Sequence, residues 1–326
     1  MKNGMFRMKI TQSGMDMTAG FTWQHRCNRV LALVAGVILI TCAGCRTDTY
    51  THSRFRERSA RLTTVALMPA QIRTGIRGDL HCHTTDSDGK DDLEAMAMAA
   101  RERGYEYLAI SDHSKRVAMA RGLDAKRLGQ QIRRIDRLNE RLEGIRLLKA
   151  AEVDILENGS LDLPNDILKE LDFTVCSVHY HLNLPAEKQT ERILRAMENP
   201  YFRILGHPTG RLINARPPFG FDLEKIMKSA SERGRILEVN SQPDRLDLSD
   251  VHCKMAKEHG VRLAISTDAH QTSELDFMRF GIAQARRGWI EAKDVINTKS
   301  LEDLLVCFSA GQRRTKEDQL FFEVVT

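Results

Sequence analysis

An α/β architecture with a parallel sheet, open or closed into a barrel, is the fold class this sequence predicts. Three observations predict it. Short apolar runs alternate with amphipathic segments from Ile76 onward, the pattern of strands joined by crossover helices. Histidines and carboxylates gather just past the apolar runs, at the strand ends where sites form in such folds. No GxGxxG or GxxxxGK(S/T) stands at a strand-to-helix turn, so a nucleotide-binding sheet is unsupported.

The strand candidates, in order, are Ile76–His81, Tyr107–Ser111, Arg146–Val153, Phe173–Val178, Phe202–Leu205, Ile236–Asn240 and Arg262–Thr267. Helices lie between most of them. Asp91–Arg103 carries Leu93, Met96, Ala97 and Ala100 on one face, with Gly104 just past its end. Asp124–Leu142 spaces Leu128, Ile132, Ile135, Leu138 and Leu142 at three- and four-residue steps. Glu187–Met197, Asp222–Arg233, Ser249–His259 and Ser273–Arg287 follow the same period.

The N-terminal part differs. Val30 to Gly44 is uncharged and apolar, preceded by Arg26 and Arg29. Its length of ~22 Å as a helix falls short of the ~30 Å hydrocarbon core, so residues 1–44 read as a secretory signal peptide. The exit Ala43-Gly44-Cys45 resembles a bacterial lipoprotein cleavage site, although Cys42 stands where such sites carry an aliphatic residue. Lipidation at Cys45 would anchor the protein to the membrane on the periplasmic side of a bacterial cell envelope; an uncleaved anchor is the alternative. Met5, Met8, Met15 and Met17 are alternative starts. Residues 45–75, with five arginines in 46–61 and little apolar period, read as a tether. The remaining domain is 76–326.

Hydrophobic content of 42% and charged content of 29% suit an ordinary globular domain, and the net charge of +5 is mild. No Lys/Arg run interleaved with aromatics marks a nucleic-acid groove. Beyond Cys45 four cysteines lie at wide, irregular spacings, which is no disulfide framework. Cys82 and Cys176 read as core.

The strand ends supply a set of metal-capable residues. His81 and His83, two apart on a strand, point the same way. Asp88 follows in Ser87-Asp88-Gly89, then come Asp112-His113, Glu152 with Asp154, His179, His207, and Asp268 with His270. Six of the 11 histidines fall at these ends. Taken singly, Asp88 would be a turn residue and Asp112 a helix cap or a partner behind a ligand; together the residues point to a metal centre.

These motifs resemble the PHP (polymerase and histidinol phosphatase) domain, above all its form at the C-terminus of bacterial family X DNA polymerases. The resemblance rests on Gly78-Asp79-Leu80-His81-Cys82-His83-Thr84-Thr85, Ser87-Asp88-Gly89, Ser111-Asp112-His113-Ser114, Glu152-Val153-Asp154-Ile155, Ser177-Val178-His179, Gly206-His207-Pro208-Thr209-Gly210-Arg211 and Thr267-Asp268-Ala269-His270. It covers about residues 76–310. It implies a distorted (βα)7 TIM-like barrel and up to three divalent metals. It further implies that His81, His83, Glu152 and Asp268 hold one metal, that Glu152 bridges to a second held by His179 and His207, and that Asp88, His113 and His270 hold a third. Zinc, manganese and iron all suit such a mixed shell. The polymerase and DNA-binding domains of that relative have no counterpart before Ile76, and Cys82 stands where a larger apolar residue is usual.

Three divalent ions against Asp88, Glu152 and Asp268 leave the pocket at about +3, which favours an anionic substrate. The expected activity is metal-dependent phosphoric ester hydrolysis, as a phosphatase or an exonuclease-like diesterase. Glu152, Asp268 and Arg211 are the catalytic candidates, and Lys115 and Arg121 are further candidates for phosphate contact. The substrate expected is a phosphorylated small molecule or a nucleotide, with nucleic acid less favoured by the mild charge. Two alternatives stand beside it. An amidohydrolase-type C–N hydrolase uses similar His-x-His barrels but usually recruits a strand-end lysine, which this chain lacks. A metal-loaded envelope binding module would carry the metals without turnover.

Overall fold

The computed structural model describes residues 6–11, 14–21 and 75–309, in two units divided at Pro69 and Ala70. In the first unit, strands β1 (Phe6–Thr11) and β2 (Gly14–Phe21) pair antiparallel. The apolar run 30–44, Cys45 and the expected tether up to residue 74 lie outside the described residues.

In the second unit every laddered strand pair is parallel. One sheet runs β3 (Gly78–Asp79), β4 (Tyr107–Ile110), β5 (Arg146–Lys149). The other runs β6 (Glu152–Asp154), β7 (Val175–Ser177), β8 (Ile204–Leu205), β9 (Ile236–Asn240), β10 (Arg262–Ser266). The expected strand Arg146–Val153 is therefore two strands. It leaves β4 and joins β7 across Ala150–Ala151, and the Glu152 amide reaches back to the carbonyls of Ser111 and Asp112 at 3.0 and 3.2 Å. A parallel bridge between Cys82 and Ala269 closes the other seam, with the His83 amide on the Ala269 carbonyl at 2.8 Å. The result is a distorted barrel.

Helices cover its outside: α1 (Leu93–Glu102), α2 (Ala125–Asn139), α3 (Asn165–Leu168), α4 (Ala186–Glu198), α5 (Leu223–Glu232), α6 (Asp250–Glu258) and α7 (Met278–Arg287). Asp92, Asp124, Asp222 and Ser249 cap α1, α2, α5 and α6, each accepting a backbone N–H of the first turn. The expected helix Ser273–Arg287 begins instead as a 3₁₀ turn, Thr272–Phe277, before α7. Among the described residues no helix is long and apolar enough to cross a membrane.

Alternation along the strands makes two cores. Leu108, Leu147, Cys176, Leu205, Leu237 and Leu263 face the helices. Tyr107, Leu148, Val175, Ile204, Ile236 and Ala264, one from each of six strands, meet in a second cluster with Phe308 on the inner face of the closed sheet. Followed toward the C-terminal end, that inner face turns polar: Val175, Ser177, His179 on one strand; Ile236, Glu238, Asn240 on another; Ala264, Ser266, Asp268 on a third.

Candidate metal centre

Glu152 stands at the middle of the polar end, 1% exposed. Its Oε2 lies 3.5 Å from His81 Nε2, 3.6 Å from His83 Nε2 and 2.8 Å from His113 Nδ1. Its Oε1 lies 2.8 Å from His207 Nε2 and 3.3 Å from His179 Nε2. Asp268 Oδ1 is 3.0 Å from His83 Nε2 and 3.5 Å from His81 Nε2. Asp88 Oδ2 is 3.6 Å from His113 Nε2 and 3.5 Å from His270 Nε2. All nine residues expected as ligands thus lie in one cluster.

The grouping is more interlocked than the resemblance implies. Ligand-capable atoms converge as His81/His83/Asp268, as His113/Glu152/His179 and as His83/Asp88/His113/His270. His113 touches Glu152 as well as Asp88, and His83 turns its Nδ1 toward Asp88 at 3.9 Å. These two rings stack at 4.4 Å between the groups.

The ring orientations fit metal ligation. His81 Nδ1 is 2.8 Å from Glu238, His179 Nδ1 is 2.9 Å from Asp154, and His270 Nδ1 is 2.8 Å from the Asp268 carbonyl. A proton on each Nδ1 leaves the Nε2 lone pair aimed into the cluster. His81 Nε2, His83 Nδ1 and Glu152 Oε2 are buried without a hydrogen-bond partner, a cost that a bound cation would remove. The donor set of imidazoles and carboxylates therefore suits divalent ions.

Electrostatics agree. Burial works against charge on Glu152, but His113, His179 and His81 outweigh it and hold its carboxyl far below the usual range. Asp268 is likewise held down against burial by His81 and His83. Burial, with His270 and His113 alongside, pushes His83 down to about 3, and burial plus Arg245 lowers His207. Burial opposes charge on His81, but Glu238 and Asp268 raise it well above the ordinary value. Against the same penalty, Glu152 and Asp88 raise His113 to about 10, and Asp88 with Asp268 raises His270 to about 9.

Other expected residues are placed as follows. Arg211 donates through Nε and Nη2 to the carbonyls of Arg245 and Leu246. Arg245 is the arginine beside the cluster, its Nε 3.7 Å from Asp268 Oδ2. Arg121 donates to the Ser87 carbonyl in the turn carrying Asp88, and Lys115 is exposed. Asp112 supports that turn by accepting from Thr84 and Ser87.

The sequence reading missed Glu238 and Asn240. Glu238 accepts from the His207 amide at 2.6 Å besides facing His81, and Asn240 donates to Glu238 and Asp268. The signal was present: a glutamate and an asparagine two apart in the apolar run Ile236–Asn240. Asp79 was also passed over; it accepts from Thr267 and ties β3 to the end of β10.

A parallel α/β barrel with a histidine and carboxylate cluster at the C-terminal ends of its strands defines the class: a barrel protein built to hold divalent metals. The sequence profile of the PHP domain matches residues 79–242. A probable phosphatase of Thermoanaerobacter sp. (strain X514) is 31% identical over 231 residues, 68% of this chain and 89% of that protein. The chain belongs to the PHP domain family. The DNA polymerase/3'-5' exonuclease PolX of Bacillus subtilis is 44% identical over 229 residues, 70% of this chain. The chain spans 40% of that relative's length. A solved histidinol phosphate phosphatase of Lactococcus lactis, complexed with zinc, L-histidinol and phosphate, is 16% identical, with a TM-score of 0.44 over 64% of this chain and 93% of that one.

Proposed function

We propose that this protein is a metal-dependent phosphoric ester hydrolase that acts on a phosphorylated small molecule. The observation that carries the reading is Glu152, whose two oxygens face five imidazoles in a buried cluster with orphaned ligand atoms. The names of the relatives, probable phosphatase and exonuclease, support the same reaction type. A polynucleotide-end exonuclease is the second reading, favoured by the 44% identity to the PolX protein.

In this reading the nine clustered residues hold up to three ions, of zinc, manganese or iron. Divalent cations there would supply Lewis-acid stabilisation of the phosphoryl oxygens and an activated water. The chain's own part is positional. Glu238, Asp154 and the Asp268 carbonyl fix three imidazoles in the ligating orientation. Arg245, whose Nε lies 3.7 Å from Asp268 Oδ2, would meet a substrate phosphate oxygen. Arg211 acts through Arg245, by holding the backbone that carries it. For cellular location the reading is the bacterial envelope, with Cys45 lipidated; labelling with a radioactive fatty acid tests this, and a Cys45→Ala variant that still incorporates label would contradict it.

The catalytic reading is tested on protein beginning after Cys45, supplied with Mn²⁺ or Zn²⁺ and a panel of phosphoesters. At least one ester is turned over. His81→Ala and Asp268→Ala remove that turnover, while circular dichroism keeps the wild-type shape. Full activity in either variant would show that the chemistry lies elsewhere, and metal uptake without turnover on any ester would favour the binding-module alternative.

A further inference from the structure

Two arginines are buried side by side beneath the helices, at the end of the barrel away from the metal centre. Arg203 and Arg235 immediately precede β8 and β9 and are only 2% and 1% exposed. Ile204 pairs with Ile236, and both lie in the inner cluster. Arg203 and Arg235 are therefore register neighbours that point outward, between the sheet and the helices. The ionisable groups that bear on them are each other, Arg233 and the Cys176 thiol, with no carboxylate among them. Burial pushes that thiol up to about 12, so near pH 7 it is neutral and supplies no counter-charge. Burial lowers both guanidinium groups, but only to about 10, so both stay charged. Two adjacent buried cations without an acid are costly.

Hydrogen bonds within the chain account for this pair only in part. Arg235 closes the C-terminal end of α4: its Nε donates to the Met197 carbonyl at 3.1 Å, and its Nη2 donates to the Met197 and Asn199 carbonyls at 2.9 and 3.0 Å. Its Nη1 is buried without a partner among the described residues. Arg203 makes one bond, from Nη1 to the Phe202 carbonyl at 3.3 Å, and its Nε and Nη2 have no partner there. Arg192 is as deeply buried and shows the contrast, since its Nε, Nη1 and Nη2 all donate, to the carbonyls of Leu156, Tyr180 and Ile155. Nε and Nη2 are the adjacent pair that forms the side-on fork of a guanidinium, the edge that holds two oxygens of one anion.

We propose that Arg203 and Arg235 hold one inorganic phosphate ion between the sheet and the end of α4, gripped by the Nε–Nη2 fork of Arg203 with the free Nη1 of Arg235 as a further donor. A doubly charged tetrahedral oxyanion offsets both buried cations and offers two oxygens at the spacing of the fork; a water molecule does neither. The site is separate from the metal centre. His207 and Glu238 stand at the other ends of the same two strands, and Glu238 faces inward, toward His81. The ion is part of the fold there and undergoes no reaction, so the proposal does not rest on the catalytic reading.

The test follows thermal unfolding of the full chain in chelator, titrated with inorganic phosphate against chloride at matched ionic strength. Phosphate is expected to raise the wild-type Tm saturably, by about 3 °C or more. Arg203→Met removes that rise, and its Tm in chloride equals or exceeds the wild type's because one buried charge is gone. Arg203→Lys keeps the charge without the fork and loses most of the rise, which covers the case of a methionine variant that fails to fold. Crystals grown with selenate, a tetrahedral probe located by its selenium, should show the anion within hydrogen-bond distance of Arg203 Nε and Nη2. No rise with phosphate, or an equal rise in wild type and the Arg203 variants, as solute exclusion would give, overturns the proposal. So does selenium found only elsewhere, or a carboxylate from residues 310–326 of the chain seated on the fork.

Discussion

At the scale of the residue, the cluster uses protons where a metal-loaded site uses cations. His113 and His270 are raised to about 10 and about 9 because Glu152 and Asp88 face them more strongly than burial penalises their charge. Both are therefore protonated at neutral pH in metal-free protein and must lose those protons to ligate. Metal uptake at pH 7.5 should release about two protons or more per chain, read by calorimetry in buffers of different ionisation enthalpy. Affinity should rise with pH through about 9 and about 10, as His270 and then His113 lose their protons, and level off only above that range. Uptake with no proton release at pH 7.5 would contradict the assignment of His113 and His270 as ligands. His83 contributes none of this, since burial and its neighbouring rings keep it neutral.

At the scale of the element, the sequence carried much of the information. The clustered histidines and carboxylates fall at strand ends because one inner face runs from apolar to polar along each strand, as in Val175, Ser177, His179. That rule is local, so His179 and Asp268 could be found without coordinates. The division of Arg146–Val153 could not. Its apolar run is continuous, and the break is a change of partner from β4 to β7 that depends on residues far away in sequence. The surroundings of Arg211 were hidden for a similar reason: they depend on a distant loop, whose Arg245 and Leu246 carbonyls accept its hydrogen bonds. Glu238 was visible only to a reading that asked what stands behind a ligand.

The turn after β3 gives a test at this scale. A methyl on Gly89 would come within 2.6 Å of the Thr84 amide nitrogen and 2.7 Å of the His83 carbonyl carbon, and backbone atoms cannot step aside as a flexible side chain can. Gly89→Ala should therefore displace Asp88 and lower metal stoichiometry, measured by mass spectrometry of the bound metal, by about one equivalent, while the equivalents at Glu152 and Asp268 stay. Unchanged stoichiometry would mean that Asp88 ligates no metal.

At the scale of the whole molecule, a closed sheet is what makes nine residues spread from position 81 to 270 into neighbours. Closure depends on Asp79 and the Cys82–Ala269 bridge at one seam and on the Glu152 amide at the other. The same residue that completes the barrel therefore presents the carboxylate at its centre, and fold and chemistry meet at Glu152. The most direct measurement is phosphate release from a phosphoester substrate by chelator-stripped protein titrated with Mn²⁺. The account predicts no release without metal, a rise to a plateau as metal is added, and no release at any metal concentration from a folded Glu152→Ala variant. Release from the stripped protein, or a Glu152→Ala variant that responds to metal as the wild type does, would contradict it.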